Sequence, residues 1–357
     1  MSASHKHTRF FLSLSLLVMI SVTALAADPG LPLPSGQPVS DQIAGNLLIY
    51  NFYTSSITDP VGTNTRINIT NIDSQYNTFV HFFFVDGSNC SVADSYFCLT
   101  PNQTMSFMAS DIDPGVTGYI IAIAVDSSGL PVSSVPGMAP SPVGGEAANL
   151  VAEVAPPPPV LIGDEYVKMS PRRKANLPAE ATNPAPPMAA PIPLAGNAIL
   201  LADPSQTTLT IPGLPRVLAV NNMTSRADGN DTLLIVNRIG GDLRTSAGTI
   251  GSLFGIVYDQ LENPYSWTSS GGCQIVRPLD NTFPRTAPRL GNVISAGSTG
   301  WMKFWSTSDN ALTGAAINSN SNAGSNPSAF EQGHNLHNLR LTSTTTLTIP
   351  VFPPNCG

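Results

Sequence analysis

Three residues late in the sequence, Trp301, Lys303 and Trp305, have the types and the spacing of a ligand-binding surface. In a β-strand, side chains two positions apart share a face, so these three lie opposite Met302 and Phe304. Methionine and phenylalanine suit a hydrophobic core, and on that basis the tryptophan face would meet solvent and offer pyranose rings an apolar contact. The interpretation that we favour from the sequence alone is that both tryptophans are core residues and that Lys303 extends along them to reach water.

A second group carries side chains that could bind a metal ion. Glu331, His334 and His337 follow one another at three-residue intervals, which would bring them to one side of a helix. Carboxylate and imidazole groups are zinc ligands. Gly333 and the nearby asparagines disfavour a helix, so we interpret the segment as a polar turn before the final strand. We predict neither a metal nor another cofactor.

Short signatures of catalysis are missing from the sequence. It contains no GxSxG nucleophile elbow, no HExxH zinc motif and no phosphate-binding P-loop. We therefore predict a non-enzymatic protein. A secreted hydrolase stays a distant alternative, because the paired carboxylates of glycosidases have no short sequence signature.

The first 26 residues have the pattern of a cleaved secretory signal peptide. Lys6 and Arg9 precede an apolar run that ends in Ala24-Leu25-Ala26. We therefore predict a secreted protein, located outside the cell, at its surface or in the periplasm. No later apolar run approaches the roughly 20 residues of a membrane-spanning helix, so no transmembrane segment is expected after cleavage.

The charge balance argues against a nucleic-acid partner. The whole chain has a net charge of −7, and removing Lys6 and Arg9 from its 16 basic side chains leaves 14 against 23 acidic ones, a net charge of −9. Proteins that bind nucleic acid need clustered lysine and arginine. A cell-surface protein or a polysaccharide is the partner that we expect, while the oligomeric state stays open.

The four cysteines are an even number in a chain that we expect to be exported, which predicts two disulfides. Four cysteines allow three pairings. We favour Cys90–Cys98, which would close a short hairpin loop, and Cys273–Cys356, which would attach the C-terminal tail to the second half of the chain.

Short apolar runs separated by turn residues predict an all-β fold. The run Tyr119–Val125 is bulky on one face and small on the other, as in a strand of a two-sheet sandwich. We predict two tandem immunoglobulin-like β-sandwich lobes joined by a proline-rich linker. The predicted divisions are a signal peptide (1–26), a disordered leader (27–40), lobe 1 (41–130), a Pro/Ala-rich linker (131–195) and lobe 2 (196–357).

The two β regions echo each other in sequence. Gly45–Ile49 (GNLLI) is similar to Gly196–Leu200 (GNAIL), and Val116–Tyr119 (VTGY) is similar to Ser298–Trp301 (STGW). An internal duplication explains both similarities. Chance similarity is the alternative, because Thr-Gly-aromatic is a common way to begin a strand.

Five stretches together carry a resemblance to a known set of proteins: FFFVDGSNCSVADSYFCLTPNQT (82–104), SDIDPGVTGYIIAIAVD (110–126), LIGDEYVK (161–168), FEQGHNLHNL (330–339) and IPVFPPNC (349–356). The chain resembles a family of uncharacterised, secreted, β-rich bacterial proteins. The resemblance implies an exported β-sandwich protein and assigns no catalytic residue. With the other observations it favours a secreted, non-enzymatic cell-surface or extracellular structural or interaction protein, adhesion included. The alternative is a lectin-like carbohydrate-binding module that uses Trp301 and Trp305.

Overall fold

The protein is described by a computed structural model that covers residues 28–33, 44–131, 161–170, 173–182, 206–211, 213–320 and 331–355. Strands make up 61% of the described residues and helices 4%, which confirms the all-β prediction. Within the described residues, no helix has the length and hydropathy needed to span a membrane. The predicted signal peptide lies outside these residues.

Twenty-two strands and three short helices make up the regular structure of the described residues. The strands are β1 (Leu47–Thr54), β2 (Asn64–Asn71), β3 (Thr78–Asp86), β4 (Val92–Leu99), β5 (Thr104–Met108), β6 (Thr117–Val125), β7 (Leu161–Ser170), β8 (Arg173–Pro178), β9 (Glu180–Thr182), β10 (Gln206–Ile211), β11 (Pro215–Thr224), β12 (Asn230–Ile239), β13 (Gly241–Asp242), β14 (Ser246–Ala247), β15 (Gly251–Asp259), β16 (Pro264–Gly271), β17 (Gln274–Pro278), β18 (Thr299–Ser306), β19 (Ala311–Asn320), β20 (Glu331–Asn335), β21 (His337–Leu341) and β22 (Thr345–Pro350). The helices are α1 (Ala109–Ile112), α2 (Leu290–Val293) and a 3₁₀ turn (Arg226–Asp228).

The strands form five small sheets. Sheet 1 has the order β4-β3-β6-β1-β9, sheet 2 β5-β2-β7-β8, sheet 3 β10-β22-β13-β14, sheet 4 β16-β15-β18-β11-β21 and sheet 5 β17-β12-β19-β20. They are arranged as a five-bladed β-propeller of small sheets. The prediction of two tandem immunoglobulin-like β-sandwich lobes is therefore wrong.

Sheets 4 and 5 repeat the strand order of sheets 1 and 2. In sheet 1, β1 pairs with β6 and the register shifts after Tyr50, so that Tyr53 lies opposite Gly118. In sheet 4, β11 pairs with β18 and the register shifts after Val220, so that Met223 lies opposite Gly300. The same irregularity at the same place in both sheets supports the internal duplication. In this register the counterpart of Leu47 is Val217. The similarity of Gly45–Ile49 to Gly196–Leu200, which lies outside the described residues, therefore does not mark equivalent positions.

Hydrophobic clusters fill the spaces between neighbouring sheets. One lies between sheets 1 and 2, another between sheets 4 and 5, and a third joins β1, sheet 2 and sheet 5 around Phe52, Leu177 and Ile235. The fourth joins sheet 1 to sheet 3, where Leu209 and Leu347 pack with Ile121. The two halves of the chain therefore share their cores, which is why they do not form separate lobes.

A buried network of polar side chains also connects the two halves of the chain. The Asn51 side-chain amide donates to Glu180 Oε2 and to Asn335 Oδ1, each at 3.0 Å. The Asn237 side-chain amide donates to the Asn51 carbonyl at 2.8 Å. Removing one partner from such a group would leave a buried polar atom unsatisfied, which costs about 1–3 kcal/mol. The network therefore fixes how the two halves meet.

The predicted linker contains regular structure. Strands β7, β8 and β9 all lie between residues 131 and 195, and β7 pairs along its length with β2 in sheet 2. The segment 161–170 has no proline of its own, so its backbone N–H groups can pair with a neighbouring strand. The leader prediction also needs correction, because Leu31 forms a β-bridge with Leu341.

The predicted cysteine pairing is wrong. Cys90 is bonded to Cys273, with their Cα atoms 5.6 Å apart. This bond excludes both Cys90–Cys98 and Cys273–Cys356. Cys98 is also disulfide-bonded, and Cys356 lies outside the described residues. Cys90–Cys273 connects sheet 1 to the second half of the chain, where both residues belong to the cluster between sheets 1 and 3.

The Cys90–Cys273 disulfide is expected to carry a large share of the stability. It spans 183 residues, for which loop-closure entropy gives an upper value of about 5 kcal/mol. We expect the Cys90→Ala/Cys273→Ala double variant to lose about 2–5 kcal/mol in urea unfolding. Digestion under non-reducing conditions with a protease that cleaves at Asp94 separates Cys90 from Cys98. Finding those two cysteines in one linked peptide would contradict the assigned bridge.

Glu165 makes stability depend on pH. It is 1% exposed, its Oε1 accepts from the Phe52 N–H at 3.0 Å, and burial raises its pKa well above the usual value. The folded state therefore holds a proton that the unfolded chain releases above about pH 4.3, so this group's contribution weakens as pH rises. We expect Glu165→Gln to raise stability at pH 8 by on the order of 1–3 kcal/mol, and to change it little at pH 4.

Urea unfolding at both pH values measures this effect. Glu262→Gln is the matched control, because it makes the same substitution at an exposed residue in the turn between β15 and β16, far from Glu165. An equal gain from Glu165→Gln at pH 4 and pH 8 would contradict the assignment.

Candidate functional site

The outer face of sheet 4 carries the predicted aromatic strand. Met302 and Phe304 are fully buried in the cluster between sheets 4 and 5, which confirms the predicted direction of β18. Trp301 is 37% exposed, and Lys303 and Trp305 are partly exposed. The interpretation favoured from the sequence, that both tryptophans are core residues, is therefore wrong.

Each tryptophan packs on an aromatic ring of the neighbouring strand β15. Trp301 stacks on Tyr258 with ring centroids 4.5 Å apart and planes 10° from parallel. Trp305 lies against Phe254 at 5.1 Å, with the planes tilted by 51°. Both contacts follow from the register, which places Tyr258 opposite Trp301 and Phe254 opposite Trp305. We call these four rings the aromatic platform; its two ring pairs are about 13 Å apart along the strands.

Lys303 lies between the two ring pairs. Its ammonium group donates to both carboxylate oxygens of Asp28, at 2.7 and 2.9 Å. It also lies 5.9 Å from the centre of the Tyr258 ring, within reach of a cation–π attraction. The platform therefore combines apolar rings with one cation that already holds a carboxylate.

The equivalent face of sheet 1 is apolar and covered. The shared register makes Tyr119, Ile121 and Ile123 of β6 the counterparts of Trp301, Lys303 and Trp305. These three residues are buried against sheet 3. No sheet of the described part of the chain covers the platform in this way, and its residues carry polar atoms that an interior face does not need.

A polar pocket of about 750 Å³ adjoins the platform. Its position follows from the sheet, because Lys303, Ala219 and His337 lie opposite one another on β18, β11 and β21. The irregular part of β11 contributes Asn221 and Asn222 to the pocket wall. The other lining residues are Leu33, Asn318, Gln332, His334, Asn335, Leu336, His337, Asn338 and Leu339.

Asparagine and histidine side chains dominate this wall. Asn222 has φ +46°, a left-handed conformation that asparagine tolerates better than most residues. The side-chain oxygen of Asn338 is buried and has no hydrogen-bond partner within the described structure. A buried acceptor without a partner is costly, so a ligand that donates a hydrogen bond there would be stabilised.

The weaker metal-site residues fall on strands. Glu331 and His334 belong to β20 and His337 to β21, so the helical arrangement in which the three would meet does not form. Among the described residues, no group of three or more candidate ligands is placed to hold a metal ion. His334 and His337 instead line the polar pocket.

His81 lies in a different environment from the pocket histidines. It is fully buried, and its Nε2 lies 2.8 Å from Asp94 Oδ2. Its ring is enclosed by Phe83, Tyr96 and Phe352. Burial lowers the pKa of His81, although the contact with Asp94 acts against this. These contacts assign His81 a packing role.

Sequence reasoning missed half of the platform. Phe254, Ile256 and Tyr258 alternate in the run LFGIVYD, and this spacing places them on one face of a strand. That signal was present, but only the pairing of β15 with β18 shows that the two aromatic rows are adjacent. No local sequence pattern predicts that Asp28, Asn221 and Asn222 lie near the platform, because their positions depend on contacts between distant segments.

The platform is expected to contribute little to folding. Trp301→Ala should lower the free energy of unfolding by about 1 kcal/mol, the value of an exposed aromatic pair. Phe304→Ala, its buried neighbour on the same strand, should cost about 3–5 kcal/mol because it leaves a cavity. Urea unfolding of both variants measures the difference. Equal losses would show that Trp301 is a structural residue.

Comparison with known proteins finds no family model and no curated protein that matches this chain. The resemblance to secreted, β-rich bacterial proteins stays a prediction. The function must therefore be inferred from the geometry of the platform and of the polar pocket.

Proposed function

We propose that this chain is an exported, non-enzymatic interaction protein that binds carbohydrate on the outer face of sheet 4. Export is supported by the predicted signal peptide and by the Cys90–Cys273 disulfide, since disulfides persist mainly in oxidising compartments. The ligand we propose is a polysaccharide or the glycan of a cell surface.

The observation that carries this proposal is the contrast between two equivalent faces. On sheet 1 the equivalent positions hold Tyr119, Ile121 and Ile123, and this face is buried by sheet 3. On sheet 4 the same positions hold Trp301, Lys303 and Trp305, and Trp301 remains 37% exposed. Residues that combine a large apolar area with a polar tip are typical of surfaces that bind ligands reversibly.

The chemistry of the surface matches that of sugars. Pyranose rings have apolar C–H faces that can lie on Trp301 and Tyr258, and hydroxyl groups around their edges that need hydrogen-bond partners. The polar pocket offers these partners from Asn221, Asn222 and Asn338 within one continuous surface. Amide side chains both donate and accept, so they can satisfy hydroxyl groups in several orientations.

A protein partner is a second candidate for the same face. The counterpart face of sheet 1 is covered by β10 and β22, which shows that this kind of sheet surface can accept packed strands. A structural protein at the cell surface could use the platform in the same way. Concentration-dependent self-association that Trp301→Ala abolishes would favour this candidate.

Glycan binding tests the proposed function directly. We expect the full mature chain to bind glycans on an array, and Trp301→Ala and Trp305→Ala each to weaken that binding about tenfold or more, because tenfold corresponds to the loss of about 1.4 kcal/mol. Tyr76→Ala is the matched control: Tyr76 is 40% exposed and lies in the turn between β2 and β3, away from sheet 4. Absence of binding to every glycan, or equal binding by all variants, would overturn the proposal.

A further inference from the structure

Lys303 already forms the contacts of a carboxylate-binding site. Both Asp28 oxygens lie within 2.9 Å of its ammonium group. The side chains of Lys303 and Asp28 are 15% and 19% exposed, so the pair lies at the surface, where an incoming group can reach it. A partly exposed ion pair of this kind is worth about 1 kcal/mol or less, which a better-placed anion can replace.

The carboxylate comes from a short segment laid across the edge of the sheet. Leu31 and Leu341 exchange backbone hydrogen bonds of 2.8 and 2.9 Å, which attach residues 28–33 to the edge strand β21. Gly30 adopts φ +102°, and a Cβ there would lie 2.5 Å from the Leu341 carbonyl oxygen. Glycine at this position therefore lets the segment pass close to the strand and bring Asp28 over Lys303.

The surroundings of Lys303 favour an anion. Arg340 and Trp305 lie on either side of Val217, in one row across the sheet. Lys303 lies in the neighbouring row, so Arg340 is one row away from it. Arg340 forms no ion pair with any described residue. His337 lies in the same row as Lys303. On a chain with a net charge of −7, this part of sheet 4 thus places the Arg340 guanidinium one row from Lys303, whose ion-pair partner among the described residues is Asp28.

We propose that Lys303 is the acid-binding subsite of the carbohydrate surface and that the ligand is a uronic-acid polysaccharide whose carboxylate displaces Asp28. The inference rests on the proposed function and adds the charge of the ligand to it. Trp301 and Trp305 each lie two residues from Lys303, about 7 Å along the strand. A sugar ring bound on either tryptophan would therefore hold its carboxylate near Lys303.

An acidic peptide is the competing ligand class. An acidic peptide would supply a carboxylate for Lys303. It would not supply flat apolar sugar rings to stack on the two ring pairs of the platform. Binding of an acidic peptide should therefore be insensitive to Trp301→Ala, whereas binding of a uronic-acid chain should need both the charge and the rings.

Calorimetric titration with one pair of probes tests the inference. The probes are an oligogalacturonate and its methyl ester, which have the same rings and differ in the charge of the carboxyl groups. We expect the acid to bind about tenfold more tightly than the ester at low salt, and the preference to shrink as the salt concentration approaches about 0.3 M. Lys303→Met should lower the affinity for the acid to that for the ester. Asp28→Asn should raise the affinity for the acid roughly fivefold, because it removes the internal competitor.

Lys168→Met is the matched control, since Lys168 is an exposed lysine on sheet 2 that contacts the Val61 carbonyl. Equal binding of acid and ester by the unmodified protein would overturn the acid-binding subsite while leaving the carbohydrate surface intact. Lack of binding to either probe, together with a silent glycan array, would overturn both. Binding of poly-glutamate that Trp301→Ala leaves unchanged would assign the site to an acidic peptide instead.

Discussion

The apolar outer face of sheet 1 is the constraint on which the rest of the structure depends. The central strands of sheet 1, β3, β6 and β1, are apolar on both faces of the sheet. Sheet 2 can bury only one of these two faces. The other face must also be shielded from water. The strands that cover it are β10 and β22, which come from the second half of the chain. Covering this face therefore ties the two halves together, and the Cys90–Cys273 bridge and the Asn51 network form at the resulting junction.

Within the described residues, no sheet covers the outer face of sheet 4. Sheets 4 and 5 repeat the order of sheets 1 and 2, but the described chain supplies a single sheet of the type of sheet 3, and it lies on sheet 1. An aliphatic face left open in this way would promote aggregation. The substitution of Ile121 by Lys303 at the equivalent position adapts the open face to water. Under the proposed function, duplication of the fold with divergence of one surface would turn a buried layer into a binding face.

The alternation of residue types along the sequence predicted those features of the structure that depend only on residues close together in the chain. The alternation around Met302 and Phe304 gave the direction of β18 correctly, because strand periodicity is a property of the strand alone. Pairings between distant segments could not be predicted in the same way. Cys90 and Cys98 are close in sequence, yet Cys90 bonds to Cys273 because sheet 3 brings the two halves together. Strand β7 was not predicted, because the prolines on either side of it indicated a linker. The segment 161–170 itself contains no proline.

The N-terminal segment explains how an open aromatic face can remain available for a ligand. An exposed edge strand invites pairing with another chain, and residues 28–33 occupy part of the edge of β21 through Leu31. Asp28 neutralises Lys303, and each tryptophan is already stacked on a ring of β15. These contacts hold the rings and the ammonium group in place without a ligand. A ligand of the proposed kind would stack on the open side of a ring and compete with Asp28 for Lys303, so its affinity would depend on both the apolar ring and the anion.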